Sequence, residues 1–170
     1  MKWSKLKSKI ENMFCDSLKK RVSINSTRYG NCNCGKATLS LDKEEVANYC
    51  TRAFWNTSPI QDGNPRQYGF VQGSNVPEGD YKKFLNEYGE FSRQDVYEMC
   101  FDYVHTLSIE ELLSSKNTFI QCLAVIDKRV GKRRLKKIDY DNLSLVAKKL
   151  FMERLKLELP TFYESLKLKV

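Results

Sequence analysis

Between Leu18 and Val22 the apolar residues of this chain change period, which restricts the fold to one that begins as helix and turns into sheet. Trp3, Leu6, Ile10, Met13, Phe14 and Leu18 recur at three- and four-residue steps. That spacing lines one stripe of an amphipathic helix and predicts one over roughly residues 3 to 19. Lys5, Lys9 and Asn12 fall opposite the stripe. Val22 and Ile24 then alternate with polar residues up to Tyr29, and Ala37, Leu39 and Leu41 alternate after a turn of Gly, Asn and Cys. A period of two on both sides of such a turn predicts a β-hairpin, at about residues 20 to 41. Asp42 with Glu45 three residues later has the form of a capping box, predicting a helix whose apolar face holds Val46, Cys50, Ala53 and Phe54.

Residues 57 to 79 hold four of the eight glycines and three of the four prolines, with no sustained period. Loops of that length are uncommon in a compact domain and are often functional, so Gln67, Tyr68 and Phe70 are candidate contacts. The alternative is a plain connection tucked down by Tyr68 and Phe70. From Asp80 the pattern is helical nearly to the end, with expected N-caps at Asp80, Ser92 and Ser108, the last completed by Glu111, and breaks at Gly89 and around Lys116. Over 143 to 159, Leu143, Val146, Ala147 and Leu150 mark one helix face while Leu145, Met152 and Leu159 mark another. Such a helix is either central in the fold or shared with a second copy in a homo-oligomer. The expected architecture is α+β and helix-rich: an N-terminal helix, one β-hairpin, then a mostly helical C-terminal two-thirds. At 170 residues this is one domain, with the long loop at 57 to 79 and a C-terminal tail over 160 to 170.

No apolar h-region interrupts the lysines of the opening MKWSKLKSKIENMF, and no run approaches the ~18 apolar residues of a spanning helix, so a soluble, cytoplasmic chain without membrane contact is expected. In that setting the six cysteines read as free thiols, with Cys15, Cys50, Cys100 and Cys122 at core positions. Residues 1 to 41, 42 to 111 and 112 to 170 carry net charges of +7, −7 and +8. Folding either sets the two basic ends side by side, a face for nucleic acid or an acidic protein, or neutralises them against the middle.

Three spacings approach catalytic or ligand motifs and stop short. Gly30 to Lys36 has P-loop spacing, but Ala37 stands where a hydroxyl should meet magnesium, and the sequence after it alternates like a strand. Cys32 and Cys34 resemble half of a zinc knuckle without paired ligands elsewhere, which leaves two exposed thiols as the simpler reading, with no metal and no cofactor expected. Asp62 with Asp80-Tyr81-Lys82 has the spacing of metal-dependent nucleases but lies among Gly and Pro rather than on a strand. His105, near Phe101 and Val104, reads as a half-buried structural residue.

The strongest local feature is KRVGKRRLKK, residues 128 to 137, with seven basic residues in ten and no acid. On a helix continued from Phe119, the apolar side would hold Ile120, Leu123, Ala124, Gly131, Leu135 and Ile138. Lys128, Arg129, Lys132, Arg133, Lys136 and Lys137 would form a basic face able to neutralise phosphates or carboxylates. No aromatic residue is interleaved there, which argues against base stacking. Asp127 and Arg134 fall on the apolar side of the same wheel, where charges need partners. They read as a buried pair, with each other or with other residues, or else as the lining of a recognition site.

The opening MKWSKLKSKIENMFCDSLKKRV, the T-R-Y at 27 to 29 and the run ending D-K-R-V-G-K-R-R-L resemble a family of small uncharacterised bacterial cytosolic proteins. The likeness extends to about Leu157 and implies no activity. The expectation is therefore a non-catalytic binding or accessory protein that engages an acidic protein partner or a nucleic-acid backbone. The alternatives are an immunity or phage-defence component of a bacterial conflict system, and a metal-dependent enzyme at Asp62, Asp80 and Lys82.

Overall fold

A computed structural model of the chain describes residues 1–30, 34–51 and 91–168. Helix α1 (Trp3–Glu11) leads into strands β1 (Val22–Arg28), β2 (Gly35–Leu41) and β3 (Glu44–Cys50). Helices α2 (Arg93–His105), α3 (Ile109–Ser114), α4 (Thr118–Ile126), α5 (Lys132–Leu135), α6 (Leu145–Glu158) and α7 (Pro160–Lys167) follow. The expected α+β order is present, with an N-terminal helix, sheet next, and a mostly helical C-terminal part. Among the described residues no helix is long and apolar enough to cross a membrane.

The sheet is antiparallel in the order β1-β2-β3, with Val22 opposite Leu41 and Arg28 opposite Gly35. Gly35 is required there, because a Cβ would lie 2.0 Å from the Thr27 carbonyl oxygen. The helix expected after Asp42 is instead the third strand. Asp42 and Lys43 both have positive φ, at 53° and 72°, the conformation that lets a two-residue hairpin follow the twist of its strands. Across β2 and β3 the register shifts, pairing Leu39 with Ala47 and Ser40 with Glu45, so that Val46 is an extra residue. That bulge leaves Val46 and Ala47 both buried in succession, which breaks the period of two and gives the segment its helix-like pattern.

Helix α1 is shorter than its stripe. It stops at Glu11, and Met13, Phe14 and Cys15 leave it to pair with the end of α4, yet Phe14 and Leu18 remain fully buried. Two expected caps are in place. Ser92 and Asp95 close a capping box at α2, and Ser108 and Glu111 close one at α3. In the second, the bonds from Ser108 hold the Glu111 carboxyl below its ordinary range. The break around Lys116 separates α3 from α4.

Helices α1 and α2 pack together, and α2 meets β2, β3 and α4. Every residue of α4 from Phe119 to Ile126 is buried except half-buried Gln121, so this helix, apolar almost all round, is central. Phe119 stands edge-on to Tyr49 of β3, with ring centroids 5.3 Å apart. Helix α6 packs on α4 and contacts α7, which follows it in the chain. Met152 and Leu159 are half-buried against the core, whereas Leu145 is 62% exposed. The expected tail is therefore largely helix α7, whose Phe162, Tyr163 and Leu166 pack against the core.

Candidate functional site

The basic run does not continue the helix from Phe119. Helix α4 ends at Ile126, Asp127 is extended, and only Lys132–Leu135 form a further turn, α5. Three local effects end α4. The Asp127 carboxylate accepts from the Arg129 backbone N–H at 2.7 Å, a side-chain turn that competes with helical bonding. Residues 13 to 15 meet 126 to 128 as a short antiparallel bridge, in which Cys15 N–H donates to Ile126 O at 2.7 Å and Lys128 N–H to Met13 O at 2.8 Å. Finally, Arg154 takes carbonyls that the helix end leaves open. Its Nη1 donates to Val125 O and Asp127 O, each at 3.0 Å, and its Nη2 to Val130 O at 2.7 Å.

Arg154 is 2% exposed. Its charge is balanced by Glu158, whose Oε1 accepts from Arg154 Nε at 3.0 Å and from the Ser17 hydroxyl at 2.6 Å. Burial pushes the Glu158 carboxyl up, but the bonds from Ser17 and Arg154 outweigh it and leave the pKa below its ordinary value. Two thiols are also buried, Cys15 and Cys122. Burial raises Cys15 beside Ser17, and burial pushes Cys122 of α4 up to about 12.

Of the readings open for Asp127 and Arg134, a pair with each other is not formed. Asp127 is fully buried but its partner is Arg129, whose Nε and Nη2 reach Asp127 Oδ2 at 3.0 and 2.8 Å. Arg134 is 53% exposed and reaches Glu110 at 3.5 Å. The reason is the end of α4: with Asp127 extended, the helical phase that put the two on one side is lost. Arg129 accordingly leaves the basic face. It lies over the buried Tyr103 ring, 5.6 Å from its centroid. Burial, followed by the Asp127 charge, raises the Tyr103 hydroxyl pKa.

The other basic residues are exposed. Lys128, Lys132, Arg133, Lys136 and Lys137 surround a core of Val130 and Leu135, both fully buried. Lys128 Nζ donates to Asn12 O at 2.8 Å, and Lys136 Nζ stands 6.0 Å from the centre of the Phe162 ring. Among the described residues, none of these five makes an ion pair. The bridge at 13 to 15 and the Arg21–Glu153 pair at 2.8 Å join the basic first segment to the basic last one. Neutralisation against the middle also occurs, at Arg21–Asp42, Lys36–Glu45 and Arg134–Glu110.

Arg154 belongs to none of the motifs in the sequence. Its signal was present in the sequence, since it follows Leu150 and Phe151 by four and three residues and so lies on the buried face of α6. The other candidates are dispersed. Cys34 is 6% exposed and disulfide-bonded, so it is not the exposed thiol, nor the thiolate ligand, that the knuckle spacing suggested. Lys36 and Ala37 lie on β2, so the P-loop spacing opens a strand. His105 is exposed rather than half-buried, at the end of α2, with its ring 4.6 Å from that of Phe101. No group of three or more His, Cys, Asp or Glu is placed to hold a metal among the described residues. Cys32, Asp62, Gln67, Tyr68, Phe70, Asp80 and Lys82 lie outside the described residues.

A family model described as the SF0329 protein family matches residues 2–155. No curated protein and no solved structure matches the chain.

Proposed function

The chain belongs to the SF0329 protein family, and we propose that it is a non-catalytic binding protein that docks an acidic surface of a partner protein through residues 128 to 137. The observation that carries this reading is the construction of that segment. Asp127, Val130 and Leu135 are buried and fix the backbone, while Lys128, Lys132, Arg133, Lys136 and Lys137 are left in solvent without ion pairs among the described residues. A rigid backbone carrying unpaired cations lowers the ordering cost of binding and raises the encounter rate with an anionic surface.

An acidic protein is favoured over nucleic acid for two reasons. The cations spread around a turn and a four-residue helix, too short to lie in a major groove as a recognition helix does. The run itself contains no aromatic residue for stacking on bases.

The test is competition. Labelled polyglutamate and labelled DNA and RNA, single- and double-stranded, are titrated with the protein across a salt series, beside a Lys132→Glu/Arg133→Glu/Lys136→Glu variant. The expected result is polyglutamate binding that survives excess duplex at physiological salt and weakens about tenfold or more in the variant, as three lost charge contacts imply. Tight duplex binding that polyglutamate cannot displace would replace this reading with nucleic-acid binding.

A further inference from the structure

Next to the basic segment, α3, α4 and the chain from Arg134 to Leu143 enclose an open groove of about 860 Å³. That volume lies within the ~300–1,000 Å³ range of sites that take small ligands, which suits a short segment of chain. Leu112, Ala124 and Val125 are among its lining residues and are no more than 4% exposed, with half-buried Ile138 and Leu143 beside them.

Three cations share this lining, Lys116, Arg134 and Lys137. Among the described residues Lys116 and Lys137 make no ion pair, and Arg134 has only its 3.5 Å contact with Glu110, a side chain 76% exposed. The carboxylate in the lining is already used: Asp139 accepts from Asn142 Nδ2 at 2.6 Å and from the Asp141 N–H at 3.1 Å. The walls are fixed in place by Gln121. Its Nε2 donates to Ser115 O at 3.3 Å and Asn142 O at 3.1 Å, while its Oε1 accepts from Ser144 N–H at 2.9 Å. This amide holds the end of α3 to the start of α6 across the groove, so the shape exists before anything binds.

We infer that the groove receives a short segment of the acidic partner in which apolar side chains are interspersed with carboxylates. The inference rests on the proposed docking of an acidic partner and adds the chemistry of the contacting segment. A purely acidic segment would leave the apolar lining wet. A purely apolar one would leave the three cations of the rim without partners. A segment with both satisfies the lining, and Lys137, which belongs to the groove and to the basic run alike, makes the two surfaces continuous.

The experiment compares two labelled peptides of equal length, polyglutamate and one of mixed leucine, phenylalanine and glutamate, by fluorescence anisotropy. Wild type is set beside Ile138→Gln/Leu143→Gln, with circular dichroism as the check on folding, and beside Lys116→Glu, whose side chain is exposed. The mixed peptide is expected to bind about tenfold or more tightly than polyglutamate, since one buried apolar side chain supplies that much. The Gln variant is expected to abolish this advantage while leaving polyglutamate binding unchanged, and Lys116→Glu to weaken the mixed peptide in a protein whose core is untouched. Equal binding of the two peptides to wild type, or an advantage that survives both variants, would overturn the groove inference and leave acidic docking standing. Failure of wild type to bind either peptide would overturn both.

Discussion

Arg154 shows how one buried charge can set the shape of a surface it never reaches. It donates three hydrogen bonds to the carbonyls of Val125, Asp127 and Val130 and a fourth to Glu158, so the backbone that displays the basic run is pinned from inside. Replacing it with alanine leaves those buried carbonyls without their donor and takes the cation from half-buried Glu158, which keeps its Ser17 bond, and thermal or denaturant unfolding is expected to show a loss of about 3 kcal/mol. Arg154→Lys keeps the charge without the planar fork and is expected to recover only part of that stability. Wild-type stability after Arg154→Ala would mean that the frame is held elsewhere. This residue was legible as a cation on an apolar face. Its role was not, because three carbonyls belonging to another helix end leave no trace in local spacing. Asp127 is buried with Arg129 rather than Arg134 as its partner, because a helical wheel places residue 134 beside it only if the helix runs unbroken through a position that bonds its own chain two residues on.

The hairpin β2–β3 carries the clearest strain on the scale of elements. Lys43 holds a φ of 72° without being glycine, a left-handed conformation that costs an L-residue about 1–2 kcal/mol. Lys43→Gly is expected to stabilise the protein by up to about 1 kcal/mol, since the relief is partly offset by a freer unfolded chain, and a rise in the unfolding midpoint would register it. A fall would show that the turn gains more from the lysine than its backbone costs. Most elements could be read from period and caps: α1, β1, β2, and the starts of α2 and α3 at Ser92 and Ser108 all follow the pattern. Strand β3 could not, because the bulge at Val46 buries two successive residues and the preceding Asp42 imitates a helix cap while serving as a hairpin turn that pairs with Arg21.

On the scale of the whole molecule, the decisive feature is the bridge between residues 13 to 15 and 126 to 128. It brings together the opening segment and the basic run, so two stretches more than a hundred residues apart in sequence form a single joint in space. Sequence alone could show that both ends are basic, but not that they meet, since pairing across more than a hundred residues leaves no periodic signal. The measurement that bears most directly on the central claim is a map of amide chemical shifts as isotope-labelled full-length protein is titrated with polyglutamate at physiological ionic strength. The account expects the largest changes at residues 128 to 137, with little at Lys5 and Lys9 on α1. Dominant changes on α1, with residues 128 to 137 unmoved, would contradict it.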